Sequence, residues 1–181
     1  MSDEFKGKVL DTGCGTGDNA IWLANLPNVS EVVAVDFSAE AISICNDRLA
    51  KAGPPKAAIS FLDQDVFSLP QDMKDFDCWL DSAVFHCIGD DSAQRAYLAA
   101  VTPRIKVGGK IIMLVFSDQN GDPWVGPRRI SESHARNLWT EAGWSVEKCE
   151  LNHFYKDVMG RNDGKGGHAL LMVATRVGGG L

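Results

Sequence analysis

Residues 9–17 read Val-Leu-Asp-Thr-Gly-Cys-Gly-Thr-Gly, a glycine-rich turn between an apolar stretch and an amphipathic one. The apolar stretch, which begins at 8–10, predicts a β-strand, and 19–26 predicts a helix that ends before Pro27-Asn28. The three glycines of the turn permit a tight bend and let a ligand lie directly against the backbone. The order of strand, glycine-rich turn and helix therefore predicts a nucleotide-binding loop.

Acidic residues around this turn indicate which nucleotide it suits. Asp36 ends the next predicted strand, 32–35, and lies 19 residues beyond Gly17, a spacing suited to holding ribose hydroxyls. Asp11 and Asp18 flank the turn, where a dinucleotide would place its pyrophosphate and where carboxylates would oppose that anion. S-adenosylmethionine carries an ammonium and a sulfonium, which carboxylates favour. The charge pattern therefore favours this cofactor, with a nicotinamide dinucleotide as the alternative.

Beyond the turn, strand and helix signals alternate along the chain. Helices are predicted at 38–52, 90–105 and 131–142, with Ser38 and Ser131 as N-caps. Further strands are predicted at 58–62, 77–80, 110–116, 144–151 and 168–175. Successive strand–helix units predict a parallel sheet, whereas the last two strands, joined without a clear helix, predict an antiparallel pair. The predicted fold is a Rossmann-like three-layer αβα sandwich with a seven-stranded, mostly parallel sheet and one antiparallel edge strand.

The composition argues against several functional classes. The 181 residues carry a net charge of −6 and scattered basic residues, which disfavours nucleic-acid binding. Five cysteines without a C-x-x-C pair predict free thiols in a reducing compartment. No apolar run reaches about 18 residues and the N-terminus is polar, so we expect a cytoplasmic protein that does not enter a membrane. We expect a monomer or homodimer with a single domain at 1–177, a disordered tail at 178–181 and no metal site.

The motifs around the turn resemble those of class I S-adenosylmethionine-dependent methyltransferases, along nearly the whole chain. Residues 9–17 are similar to the first motif of that family, which wraps the amino-acid end of the cofactor. Residues 33–38 are similar to the second, which implies ribose contact at Asp36 and adenine contact at Phe37. Gln64-Asp65-Val66 matches the place where the family's acidic residue meets the adenine amino group. The predicted cofactor contacts are Asp11, Gly13, Cys14, Gly15, Gly17, Asp36, Phe37, Asp65, Val66 and Asp81.

A narrower resemblance concerns the second half of the chain. Five segments look like those of small bacterial-type methyltransferases related to the thiopurine, thiol and halide methyltransferases: 81–86, 95–97, 108–110, 116–118 and 126–131. This resemblance implies methyl transfer to a small acceptor, namely a thiol, a halide or other soft anion, or an aromatic hydroxyl. The alternative is a non-catalytic S-adenosylmethionine-binding protein, because such methyltransferases usually carry one or two covering helices where this sequence has about seven residues.

Candidate catalytic residues follow the fourth predicted strand, at the carboxyl edge where parallel sheets bind ligands. Asp81 and His86 are predicted as catalytic, His86 either as a contact to substrate or cofactor or as the general base. The predicted acceptor pocket comprises His86, Asp118, Trp124 and Arg128. The alternatives are a capping role for Asp81, a packed loop aromatic for Trp124, and a surface ion pair for Arg128.

Overall fold

A single sheet forms the centre of the molecule. The computed structural model describes residues 2–121, 123, 125–154 and 167–178. In these ranges the strands are β1 (Gly7–Thr12), β2 (Val29–Asp36), β3 (Ala58–Asp63), β4 (Phe76–Ser82), β5 (Ile105–Phe116), β6 (Trp144–His153) and β7 (His168–Arg176). Their order is β3-β2-β1-β4-β5-β7-β6. Strands β1 to β5 pair in parallel, and β7 runs antiparallel to both β5 and β6. The predicted sheet is confirmed; within the antiparallel pair, β6 is outermost.

Helices cover both faces of this sheet. The described residues form α1 (Asp18–Leu23), α2 (Ala39–Ala52), α3 (Asp91–Val101) and α4 (Glu132–Glu141). Both predicted N-caps are confirmed: Ser38 Oγ accepts from the backbone N–H of Ala41 at 3.2 Å, and Ser131 Oγ from that of His134 at 3.1 Å. Each bond satisfies an N–H group that the start of a helix leaves unpaired.

The predicted continuous helix over 90–105 is wrong at its C-terminal end. Helix α3 ends at Val101, Thr102–Arg104 forms a 3₁₀ turn, and β5 begins at Ile105, earlier than predicted. Pro103 lacks the N–H that would continue the α-helical hydrogen bonds, so the chain keeps helical dihedrals at Thr102 only within the 3₁₀ turn. The chain therefore leaves the helix one turn early.

Two apolar layers pack the helices on the sheet. On the face of α3 and α4, Trp79, Trp139 and Trp144 are buried with ring centroids between 5.2 and 6.1 Å apart. On the face of α1 and α2, smaller buried side chains such as Val9 and Ala20 fill the space. Burial of each large side chain contributes about 1.5–3 kcal/mol. The packed layers hold the carboxyl ends of β1, β2, β4 and β5 at one edge of the sheet.

The cysteines belong to this packing. All five carry free thiols, as predicted, and four of them are buried. Cys45 on α2 donates a hydrogen bond from Sγ to the carbonyl of Gly15 at 3.2 Å, which supports the glycine-rich turn from below. Among the described helices, none has the length and apolar character that a membrane span requires.

Candidate active site

The glycine-rich turn leaves open space on one side. Gly13 and Gly15 have φ values of 61° and 54°, which side chains disfavour. A Cβ at Gly13 would lie 2.3 Å from Cγ2 of Val84, so this glycine lets the turn pack against the segment after β4. A Cβ at Gly15 would meet nothing within 4 Å. The backbone at Gly15 therefore borders a space that a ligand can enter.

Asp36, at the carboxyl end of β2, holds the turn in place. Its Oδ2 accepts from the backbone N–H of Gly15 at 2.9 Å, and its Oδ1 accepts from that of Ser38 at 3.0 Å. The backbone N–H of Cys14 donates to the carbonyl of Val35 at 3.0 Å. A carboxylate has about four lone-pair sites, so Asp36 retains acceptor capacity for ligand hydroxyls.

The predicted adenine contacts lie beyond β2 and β3. Phe37 is 82% exposed, which is unusual for an aromatic residue and leaves its ring free for a ligand. Asp65 is exposed, and its Oδ1 accepts from the backbone N–H of Phe67 at 2.9 Å, which fixes the turn that contains the half-buried Val66. The backbone N–H of Gln64 donates to the carbonyl of Asp36 at 3.0 Å and thereby brings the ends of the two strands together.

Asp11 is a buried carboxyl group with an unpaired oxygen. Its side chain is 1% exposed, and Oδ2 has no hydrogen-bond partner in the described part of the chain. Burial raises the pKa of Asp11 to about 8, with further increases from the charges of Asp81 and Asp36. The predicted cofactor residues on β1, β2 and β4 thus influence one another electrostatically.

Asp81, at the end of β4, is fully buried and fully paired. Its Oδ1 accepts from the backbone N–H groups of Val84 and Phe85, both at 3.1 Å, and its Oδ2 accepts from the hydroxyl of Tyr97 at 2.7 Å. Burial raises the pKa of Asp81 to about 6, although the bonds from Tyr97, Phe85 and Val84 lower it. These contacts fix the short turn that carries His86.

Tyr97 and Thr12 extend this network. The Thr12 hydroxyl lies 2.8 Å from that of Tyr97 and accepts from Nε1 of Trp79 at 2.9 Å. The sequence predicts no role for Thr12 and places Tyr97 only within the predicted helix 90–105 and the segment 95–97. The buried polar network ties β1, β4 and α3 together beneath the site.

His86 lies at the carboxyl ends of β4 and β5, as predicted. It is 3% exposed, its ring stacks on Phe116 at 4.9 Å and 9°, and Nδ1 accepts from the backbone N–H of Phe116 at 2.8 Å. Burial lowers the pKa of His86 to about 4, although a hydrogen bond to the carbonyl of Ala83 raises it. The ring is therefore neutral, and the bond at Nδ1 places its proton on Nε2.

Phe154, which the sequence did not single out, completes an aromatic cluster with His86 and Phe116. The rings of Phe116 and Phe154 are 4.7 Å apart, and those of His86 and Phe154 are 6.5 Å apart. Phe116 is the last residue of β5, whereas His86 follows β4 and Phe154 follows β6. Only the order of the strands in the sheet brings them together.

The remaining predicted pocket residues have different surroundings. Arg128 Nη2 forms an ion pair with Asp91 Oδ1 at 2.7 Å, the surface pairing considered as its alternative, while its backbone N–H donates to the carbonyl of His86 at 3.0 Å. Asp118 is exposed directly after β5. Trp124 lies outside the described residues. Gln94, a fully buried residue missed by sequence reasoning, accepts from Nε2 of His134 at 2.7 Å.

Comparisons with known proteins agree with this geometry. Residues 9–109, more than half of the chain, match the methyltransferase domain family. The 2-heptyl-1-hydroxyquinolin-4(1H)-one methyltransferase of Mycobacteroides abscessus is 26% identical over 159 residues, which cover 87% of this chain and 67% of that protein. The chain spans between 24% and 67% of the length of the curated relatives it matches.

Solved structures extend the similarity over nearly the whole chain. A structure from work on the conversion of a disulfide bond into a thioacetal group during echinomycin biosynthesis is 27% identical with a TM-score of 0.76, and the match covers 95% of this chain and 77% of that one. The 1,6-didemethyltoxoflavin-N1-methyltransferase of Burkholderia thailandensis is 22% identical with a TM-score of 0.71, and the match covers 94% and 71%. At 22% identity, the similarity to the B. thailandensis enzyme shows a common fold and no more.

Proposed function

The chain belongs to the methyltransferase domain family, and from this premise we propose that it transfers the methyl group of S-adenosylmethionine to a small-molecule acceptor. The comparisons confirm the predicted cofactor. The observation that carries the proposal is the open space at Gly15, beside Asp36, whose charge acts together with that of Asp81 on the buried Asp11. A cationic nucleoside suits such a space.

The residues of the turn fit this cofactor. The absence of a side chain at Gly15 leaves room for the amino-acid end, and the unpaired oxygen of Asp11 favours a cation nearby. Asp36 has lone pairs for the ribose hydroxyls, and the exposed ring of Phe37 offers a stacking face for adenine. Asp65 is proposed at the adenine amino group. Gly13, Cys14, Gly17, Val66 and Asp81 complete the proposed cofactor contacts.

Bound S-adenosylmethionine supplies a methyl carbon that its sulfonium activates. The chain then has to align the acceptor and exclude water. Asp81 fixes the turn after β4 through the N–H groups of Val84 and Phe85, and this turn presents His86. We therefore propose that Asp81 acts by positioning His86, and that the His86 ring borders the acceptor while its Nε2–H donates to the carbonyl of Ala83. A base at His86 would require loss of the bond from Phe116 to Nδ1.

Among the three predicted acceptor classes, we propose an aromatic hydroxyl. The aromatic cluster of His86, Phe116 and Phe154 suits a planar acceptor better than a halide ion. The M. abscessus relative is named for a hydroxyquinolone, a planar ring with a hydroxyl group. Asp118, Trp124 and Arg128 remain proposed acceptor contacts, and the ion pair of Arg128 with Asp91 favours a supporting role for that arginine.

Three further expectations concern the protein as a whole. A cytoplasmic location, a monomeric or homodimeric state and the lack of nucleic-acid binding remain predictions. A small-molecule acceptor agrees with the named activity of the M. abscessus relative.

The first experiment is a calorimetric titration with S-adenosylmethionine and with S-adenosylhomocysteine, followed by mass spectrometry of product mixtures. The acceptor panel contains matched phenols and hydroxyquinolines, thiols, and halides. Cofactor binding with methylation of the aromatic hydroxyls supports the proposal. Binding without transfer to any acceptor supports the non-catalytic alternative, and transfer to thiols or halides alone overturns the acceptor class. The absence of binding overturns the cofactor site.

A further inference from the structure

The fold buries Asp11 without pairing it. Its side chain is 1% exposed, and Oδ2 has no hydrogen-bond partner among the described residues. Its neighbour Asp81 on β4 is buried to the same degree but accepts three hydrogen bonds. A buried carboxylate without donors or a cation is unfavourable, whereas the protonated acid is not. The structure thus favours the protonated form of Asp11.

The charges around Asp11 also favour its protonated form. Asp81 on β4 and Asp36 on β2 both disfavour a further negative charge. Three other titratable groups interact electrostatically with Asp11, and the pKa of each is raised. They are the thiol of Cys14 in the turn, the thiol of Cys45 on α2 and the phenol of Tyr97 on α3. Burial and the two carboxylates raise the pKa of Asp11 to about 8. The ligand-free protein therefore carries a proton on Asp11 at neutral pH.

We propose that Asp11 releases its proton to solvent when S-adenosylmethionine binds, so that cofactor binding and proton release form one coupled event. This inference rests on the proposed function, because it requires the amino-acid end of the cofactor to lie at the glycine-rich turn. The O–H bond of the acid breaks, the proton passes to water, and the carboxylate is stabilised by the ammonium and sulfonium. An opposite charge within about 4–6 Å favours the ionised form of a carboxyl group.

Two consequences distinguish this mechanism from simple ion pairing. The affinity for the cofactor rises with pH, by up to about tenfold per pH unit below pH 8, because the bound state carries one proton fewer. A nucleoside thioether that lacks the amino-acid end, such as methylthioadenosine, binds without this release because it brings neither cation.

The test is calorimetry of S-adenosylmethionine binding at about pH 7 in buffers with different ionisation enthalpies. The slope of the observed enthalpy against the buffer's ionisation enthalpy equals minus the number of protons released, and we expect about −0.9 for wild type. Asp11→Asn, which imitates the neutral acid, should bring this slope to about zero or to a positive value. Any proton exchange by the ligand's own amine is common to both proteins, so their difference isolates Asp11.

Asp65→Asn is the matched control, because it alters a proposed adenine contact remote from the turn. We expect weaker binding with an unchanged slope. Cofactor binding with a zero slope in wild type, or a slope that persists in Asp11→Asn, overturns proton release and leaves the proposed function intact. Failure of wild type to bind the cofactor overturns both. If Asp11→Asn does not fold, the pH dependence of wild-type affinity decides, and a flat profile between about pH 6 and 8 contradicts the proposal.

Discussion

Asp11 and Asp81 occupy neighbouring strand ends and have opposite surroundings. Both are buried carboxyl groups, one on β1 and one on β4, and β1 pairs with β4 so that Thr12 lies beside Asp81. Asp81 accepts from two backbone N–H groups and a phenol, whereas Oδ2 of Asp11 accepts from nothing in the described chain. The pKa is raised further at Asp11, to about 8, than at Asp81, to about 6.

From this difference we propose that Asp81 mainly stabilises the local chain and that Asp11 mainly serves a ligand. Where the fold supplies donors, the carboxylate stabilises the local chain. Where the fold supplies none, it leaves a site whose electrostatics a cationic ligand can complete. The two acids are each the second-last residue of their strand, but the register pairs Thr12 with Asp81 and Asp11 with Leu80, so their side chains lie on opposite faces of the sheet. The two faces offer different hydrogen-bond partners.

The largest expected effect on stability follows from removing Asp81, the buried acid whose oxygens are both hydrogen-bonded. Asp81→Ala leaves two buried backbone N–H groups without an acceptor and removes the carboxylate partner of the Tyr97 hydroxyl, and should lower the free energy of unfolding by about 3 kcal/mol or more. Urea denaturation measures this change. Asp81→Asn keeps an accepting oxygen and should cost clearly less. Equal stability of Asp81→Ala and wild type would contradict a structural role.

The unpaired acid should instead make stability depend on pH. The folded-state pKa of Asp11, about 8, exceeds its ordinary value of 3.8, so the folded state holds the proton more tightly than the unfolded state. Its contribution is therefore present at low pH and is lost as the pH rises toward 8, at up to about 1.4 kcal/mol per pH unit. Thermal unfolding between about pH 6 and 8 should show this slope in wild type and a smaller one in Asp11→Asn. Parallel slopes would contradict the protonated state.

Asp36 combines features of Asp81 and Asp11, because it accepts hydrogen bonds from the chain and also faces the proposed ribose site. Asp36→Ala should weaken the affinity for S-adenosylmethionine by about 1–3 kcal/mol, through lost hydrogen bonds and a looser Gly15. Calorimetry measures the affinity, and Asp63→Ala, an exposed acid at the end of β3, is the control. Unchanged affinity would remove Asp36 from the site.

A smaller effect is expected from removing one member of the paired network. Tyr97→Phe deletes the hydroxyl between Asp81 and Thr12 and should destabilise the fold by about 1–2 kcal/mol. Double-mutant analysis with Asp81→Asn should show non-additive effects, because the two groups share one hydrogen bond. Additive changes in the free energy of unfolding would mean that the bond contributes little.

The smallest effect on cofactor binding is expected at His86. His86→Ala should leave the affinity for S-adenosylmethionine within about 0.5 kcal/mol of wild type, because the contact that we propose for the ring is with the acceptor. Turnover of the aromatic acceptor should fall, and His86→Asn, which retains a hydrogen-bond donor, should recover part of it. A change in cofactor affinity as large as that of Asp36→Ala would place His86 against the cofactor instead.

The sequence predicted the elements that depend on local signals. The turn at 9–17, the acid at Asp36 and the N-caps at Ser38 and Ser131 follow from glycine positions, strand ends and capping chemistry. The hydrogen bond of Tyr97 was not predicted, because its hydroxyl meets Asp81 only when α3 packs over β4. Such contacts depend on tertiary packing between distant segments, which periodicity does not encode.

Arg128 is a second residue whose contacts could not be predicted from the local sequence. Its sequence context permitted both an anion site and an ion pair, and these alternatives differ only in the position of Asp91 at the start of α3. Nothing local to the arginine reveals that acid, since the two lie more than 30 residues apart in the chain. The cluster of His86, Phe116 and Phe154 likewise depends on the order of strands in the sheet.

The close approach of Gly13 to Val84 couples the effects of substitutions at these two positions. A Cβ at 13 would occupy the place that Cγ2 of Val84 fills, and the φ of 61° disfavours a side chain there even where space is available. A smaller residue at 84 removes the first obstacle and leaves the second. We therefore expect Val84→Ala to lessen, without abolishing, the loss of stability that Gly13→Ala causes.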